Sequence, residues 1–143
     1  MTSPGSTALA NLAKIGKLKS EPPDKDECNG LLHSARVRLK DARHNILSLE
    51  SRFDLAYNAA HAAALCALRI HGYRSENRYL VFQCLVHTLG YTPQQLGLFD
   101  KAHHKRNLAE YEGDLDVTLN FVEELIEATA TLIADTQDLQ EHP

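Results

Sequence analysis

No lysine or arginine occurs beyond Arg106, and tryptophan is absent altogether. The first absence divides the chain electrostatically: residues 1–109 carry all fifteen Lys and Arg against nine acids, whereas residues 110–143 carry ten acids alone. The net charge of -4 therefore conceals +6 followed by -10. Two readings fit: an acidic solvated face that complements basic surface in the domain or a dimer mate, or a basic cleft that faces a polyanion. The three cysteines, Cys28, Cys66 and Cys84, are too few and too irregular for a disulfide framework or a zinc site. Cys66 and Cys84 lie in apolar helical patterns, where a reduced thiol packs as a small hydrophobe. No apolar run approaches the roughly 18 to 20 residues that span a bilayer. Met1 to Gly16 also lacks a continuous hydrophobic stretch before a cleavage site, which predicts a cytoplasmic protein without a membrane partner. Glycine-rich phosphate loops, internal repeats, sustained heptads and serine elbows are missing too.

What is present is helical periodicity. A length of 143 residues with 43% hydrophobic content suits one domain with a real core. Residues 1–27 read as a partly flexible N-terminal arm, in which Leu9, Leu12 and Ile15 precede a Pro22-Pro23 break, and residues 28–143 read as the helical domain. Leu31, Ala35, Leu39, Ala42, Ile46 and Leu49 recur at three and four, predicting a first long helix. A second helix runs from about Ser51 to His71. Its centre, Ala56 to Ala67, holds seven alanines, so neighbouring helices can approach closely. Gly72 stops it. Ser75 is the expected cap of a third helix with Leu80, Val81, Cys84, Leu85, Thr88 and Leu89 on one face, closed by Gly90. Thr92-Pro93 starts a short helix or turn with Leu96, Leu98 and Phe99. Asp114 is the expected cap of a last helix carrying Leu115, Leu119, Val122, Leu125, Ile126, Thr129, Leu132 and Ile133. The sum is an all-α bundle of four to five helices.

The densest chemistry lies between the last two elements, at His103-His104-Lys105-Arg106-Asn107-Leu108-Ala109-Glu110-Tyr111-Glu112-Gly113. An arginine followed at once by asparagine, with a proton-handling side chain about a helical turn later, grips a phosphate and addresses a neighbouring hydroxyl. Arg106, Asn107, Tyr111, His61 and His104 are therefore the candidate catalytic residues. Lys101, Lys105, Arg74 and Arg78 are candidate contacts to a nucleic-acid backbone. Asp54, Asn58 and His61 share helical spacing on the alanine-rich helix and form the expected second wall of a cleft. Structural alternatives stand beside these roles. Arg106 can pair with Glu110, Asp114 or an acid of the last helix, Tyr111 can be a core tyrosine, and His61 a packing histidine. Neighbouring His103 and His104 cannot both face one metal from a regular helix, and no metal or cofactor is expected.

Phe53-Asp54-Leu55-Ala56-Tyr57-Asn58-Ala59-Ala60-His61-Ala62-Ala63-Ala64-Leu65, followed two helices later by Arg106-Asn107 and Tyr111, resembles the higher eukaryotes and prokaryotes nucleotide-binding (HEPN) superfamily over roughly residues 30–135. The resemblance implies a small, often dimeric helical bundle. It also implies a metal-independent endoribonuclease of the kind that serves bacteria as a toxin or phage-defence effector. The family signature is an arginine, often followed by a polar residue, and then a histidine little more than one helical turn later. Arg106 and Asn107 match its first half; Tyr111, Glu112 and Gly113 occupy the places where the histidine falls. Tyrosine ionises near 10 rather than 6.5, so it is a poorer base, though it can donate a hydrogen bond.

Two functions follow. One is a toxin or defence-type protein acting on or binding RNA, as a homodimer with a cognate antitoxin protein. The other is a non-catalytic HEPN module that binds a nucleotide or a protein partner. A DNA-binding regulator ranks last, for want of a helix-turn-helix pattern and of strongly basic charge.

Overall fold

A computed structural model describes residues 3–113 and 115–143. Six of the seven helices among the described residues begin where a short polar side chain satisfies a free amide of the first turn. Ser3 caps α1 (Pro4–Lys14), Asp24 caps α2 (Lys25–Ala42) and Ser48 caps α3 (Leu49–Ile70). Asn77 caps α4 (Arg78–Gln83), which continues at Cys84 into the single turn α5 (Leu85–Thr88). Thr92 and Gln95 form a reciprocal capping box on α6 (Pro93–Glu112), and Thr118 caps α7 (Leu119–Glu141). Two short strands, β1 (Lys19–Ser20) and β2 (Tyr73–Arg74), pair antiparallel. The architecture is an all-α bundle whose four long members are α2, α3, α6 and α7.

Several element boundaries differ from the sequence expectation. The first long helix stops at Ala42, and Ile46, expected in its apolar stripe, is 93% exposed. The periodicity runs on through a turn by coincidence. Asn77 replaces Ser75 as the cap, because the Ser75 hydroxyl is taken by the Asn77 amide at 3.1 Å. The expected short helix at Thr92 is a helix of 20 residues that includes the whole basic cluster. Its second half is polar on most sides, so no apolar stripe betrayed it. The last helix begins at Leu119 and not near Leu115; Asp114 lies outside the described residues.

Helix α3 is the axis of the molecule. Ala56, Ala59, Ala60, Ala63 and Ala67 are all 0% exposed, and α2 and α7 lie against it along its length. With methyl groups at the contacts, the larger side chains of the neighbours fill the space: Leu32 and Leu39 from α2, Leu125 and Leu132 from α7. Each such leucine contributes roughly 1.5 to 3 kcal/mol of burial. Phe82 of α4 and Phe99 of α6 stack at 5.6 Å, closing the side of α3 that α2 and α7 leave open. Arg43 and Glu127 pair at 2.7 Å, so basic surface near the end of α2 meets the acidic last helix.

The N-terminal segment folds onto this domain. Leu9 and Leu18 are buried in the common core, and α1 packs on α5 so closely that Gly5 faces the His87 carbonyl. The link to α2 is fixed by Arg69, 1% exposed near the end of α3. Its guanidinium donates to the backbone oxygens of Glu21 at 2.9 Å and Pro22 at 2.7 Å and pairs with the Glu27 carboxylate. Arg74 completes the network with Glu21, at 2.8 Å, and Glu27.

Candidate functional site

Because residues 93–112 are one continuous helix, the basic cluster is divided between its faces. Residues three and four apart share a side. His103, Arg106, Asn107 and Glu110 therefore line up, and this row meets Tyr57 of α3 and Tyr79 of α4. Lys101, His104, Lys105 and Leu108 lie on a different face. They line a groove of about 730 Å³ with Asp116 and Phe121.

A hydrogen-bonded chain forms the centre of the first face. The Tyr57 hydroxyl meets His103 Nδ1 at 2.9 Å, and the Asn107 amide nitrogen meets His103 Nε2 at 3.1 Å. With the amide so oriented, Nε2 accepts, the imidazole proton sits on Nδ1, and Nδ1–H donates to Tyr57 Oη. Two guanidiniums rest against the ring of the same tyrosine. Arg78 lies 5.6 Å and Arg106 5.3 Å from its centroid. Arg78 also donates to Asn58 Oδ1 at 3.1 Å, while the Asn58 amide donates to the Asp54 carbonyl at 2.8 Å. Asn58 thus fixes Arg78 to α3. Arg106 pairs with Glu110 at 3.1 Å and lines a cavity of about 330 Å³ with Asp54 and Glu50.

The electrostatics follow from two cations near half-buried imidazoles. Burial, reinforced by Arg78, Arg106 and His103, pushes His61 down to about 4, and its Nε2 is enclosed with no hydrogen-bond partner. Burial and then Arg106 and Arg78 hold His103 below the ordinary histidine value. The Tyr57 phenol is pushed up by burial. At neutral pH the two histidines and the tyrosine are uncharged, and the charged side chains of this face and its adjoining cavity are Arg78 and Arg106 beside Glu110, Asp54 and Glu50. The hydrogen-bond partner of Arg78 is a neutral amide, so its guanidinium, unlike that of Arg106, has no carboxylate bonded to it among the described residues and is the charge here that a phosphate could neutralise.

Among the residues singled out in the sequence, the structure brings together Arg106, Asn107, Arg78, Asn58 and His61. Asp54 is exposed at the edge of the adjoining cavity. Tyr111 stands apart: it is 89% exposed. His104 and Lys101 face the separate groove; Lys105 there donates to the Asp116 carbonyl at 2.8 Å and covers the Phe121 ring at 5.3 Å. Arg74 is engaged by Glu21 and Glu27, tying the N-terminal segment to the domain. Arg106 pairs along its own helix, with Glu110, and not with α7.

The sequence reading did not place Tyr57, Tyr79 and His103 in the site. His103 was legible in principle, since it precedes Arg106 by three and Asn107 by four, the spacing of one helix face. That signal needed a helix through the cluster. No family model matches the chain, and no curated protein or solved structure matches it significantly.

Proposed function

We propose that this protein is a HEPN-like, RNA-directed effector of the toxin or defence type, with Arg106 and Arg78 as its phosphate clamp and His103 as its proton-handling group. The observation that carries the reading is the convergence of Arg78, Arg106 and His103 around one tyrosine, Tyr57. RNA brings its own nucleophile. The 2′-oxygen attacks phosphorus as its proton passes to His103 Nε2, and the two guanidiniums meet the charge on the phosphorane. The P–O5′ bond breaks and the 5′-oxygen takes a proton from water, leaving a 2′,3′-cyclic phosphate; the hydroxide formed then takes up the proton held by His103 and restores the neutral ring. Asn107, whose amide occupies Nε2 beforehand, turns to a sugar or phosphate oxygen of the substrate. Tyr57 is fully buried, so it positions His103 and touches no substrate. A second copy of the chain and a cognate antitoxin protein are the partners this reading carries, in a bacterial cytoplasm.

A second reading, a non-catalytic module that holds a nucleotide, an RNA or a protein partner, is favoured by one specific feature. Both ring nitrogens of His103 are already engaged.

The test is RNA binding and cleavage by purified protein in chelator-containing buffer, comparing wild type with Arg106→Ala, His103→Ala and Tyr111→Phe. Cleavage lost in the first two and kept in Tyr111→Phe supports the nuclease. Binding that depends on Arg106 without cleavage supports the module. Wild type that neither binds nor cuts RNA removes the RNA-directed reading.

A further inference from the structure

Tyr79 is an aromatic side chain packed on His103 that stands half in water. It is 51% exposed, whereas Tyr57 and Phe82 behind it are buried. Its ring centroid lies 5.8 Å from that of His103, with the planes tilted by 44°. One side of Tyr79 is thus steadied by the imidazole. The next residue back along α4 is Arg78, which turns the other way, onto Tyr57 and Asn58. Adjacent positions on one short helix therefore present an exposed aromatic surface and a guanidinium whose hydrogen-bond partner is neutral, with Arg106 across the Tyr57 ring.

Resting on the RNA-directed reading above, we propose that Tyr79 is the stacking platform for the base of the nucleotide whose phosphate lies at Arg78 and Arg106. Its chemistry fits the role. A phenol ring offers a flat apolar surface to any nucleobase, and the phosphate of the same nucleotide then reaches the guanidiniums. A base in a duplex is already stacked on both sides, so this arrangement takes unpaired nucleotides. The imidazole of His103, between the platform and the clamp, is left beside the sugar. Stacking is tolerant of base identity, which makes Tyr79 a determinant of strandedness and not of sequence.

The test measures binding by fluorescence anisotropy with three labelled probes: a short single-stranded RNA, the same strand annealed to its complement, and a strand of equal length with abasic sugars. Wild type should prefer the single strand to both others. Tyr79→Ala should weaken single-strand binding about 5- to 100-fold and leave abasic binding nearly unchanged, while Tyr79→Phe, which keeps the ring, should bind like wild type. Circular dichroism melts confirm that Tyr79→Ala is folded. Equal loss on the single-stranded and abasic probes, or no loss on either, overturns the platform. Arg78→Ala and Arg106→Ala should weaken all three probes, which examines the phosphate clamp separately. A clamp that persists while Tyr79→Ala has no effect sinks only the platform. Wild type that binds none of the probes sinks the platform together with the reading beneath it.

Discussion

His103 holds two hydrogen bonds, and the orientation of the Asn107 amide decides which nitrogen carries its proton. As placed, the amide nitrogen donates to Nε2, an arrangement that an imidazolium could not accept. The neighbouring guanidiniums add to the same preference for a neutral ring. Asn107→Asp replaces the donor by a carboxylate that accepts from Nε2–H and favours the charged form. The His103 titration midpoint, followed by NMR of the ring protons, should rise by about 1 to 3 in pH. No rise would mean that the Asn107 side chain does not face the imidazole in solution. The sequence drew attention to Tyr111 because counting along the chain places it where a family histidine falls. In space it is a solvent-facing side chain near the helix end, and the imidazole that shares Tyr57 with Arg106 lies in the turn before it.

Helix α1 is held by Leu9 in the core and by a close backbone approach to α5. A methyl group at Gly5 would sit 2.4 Å from the His87 carbonyl oxygen, so α1 and α5 must move apart to accept it. Gly5→Ala should cost about 1 to 3 kcal/mol in urea unfolding and should speed amide exchange in α1 before other helices. A variant with wild-type stability and exchange would show that α1 is not seated there. Arg69 bears on three elements at once, α3, the segment before α2 and β2. Arg69→Met leaves three backbone oxygens without their guanidinium donor and the Glu27 carboxylate with Arg74 alone. Its cost should be about 2 to 3 kcal/mol in the same assay, below that of a wholly buried pair because the Glu27 side chain keeps some solvent. Neither contact was legible beforehand. A glycine near the N-terminus and an arginine after an apolar helix have no local pattern that reveals what they meet.

Across the whole molecule, acid should act in two stages. His61 titrates near 6.5 when unfolded and near 4 in the fold, so between these values the unfolded chain takes up a proton that the fold refuses. Stability is full above that window and falls as pH drops through it, by at most about 3 kcal/mol. His103, also lowered, acts in the same direction. Glu21 and Glu27 act at lower pH. The hydrogen bond from Arg74 lowers Glu21 and that from Arg69 lowers Glu27, so their contribution is present above 4.5 and disappears as pH falls through the depressed folded values. Unfolding free energy measured from pH 7 to pH 4 should decline, and His61→Gln should flatten the decline above pH 4.5. An unchanged slope in that variant would place the imidazole in water. By itself the sequence determined the helical class, the alanine-rich axis and the stops at Gly72 and Gly90, whose φ angles of 88° and 70° suit glycine. These are local matters, set by propensity, periodicity and the absence of a Cβ. Only the tertiary structure decided which side of α6 faces α3 and α4 and that Tyr57 meets His103 across 46 residues of chain. Such pairings depend on how helices cross, and that is fixed by the packing of the entire core.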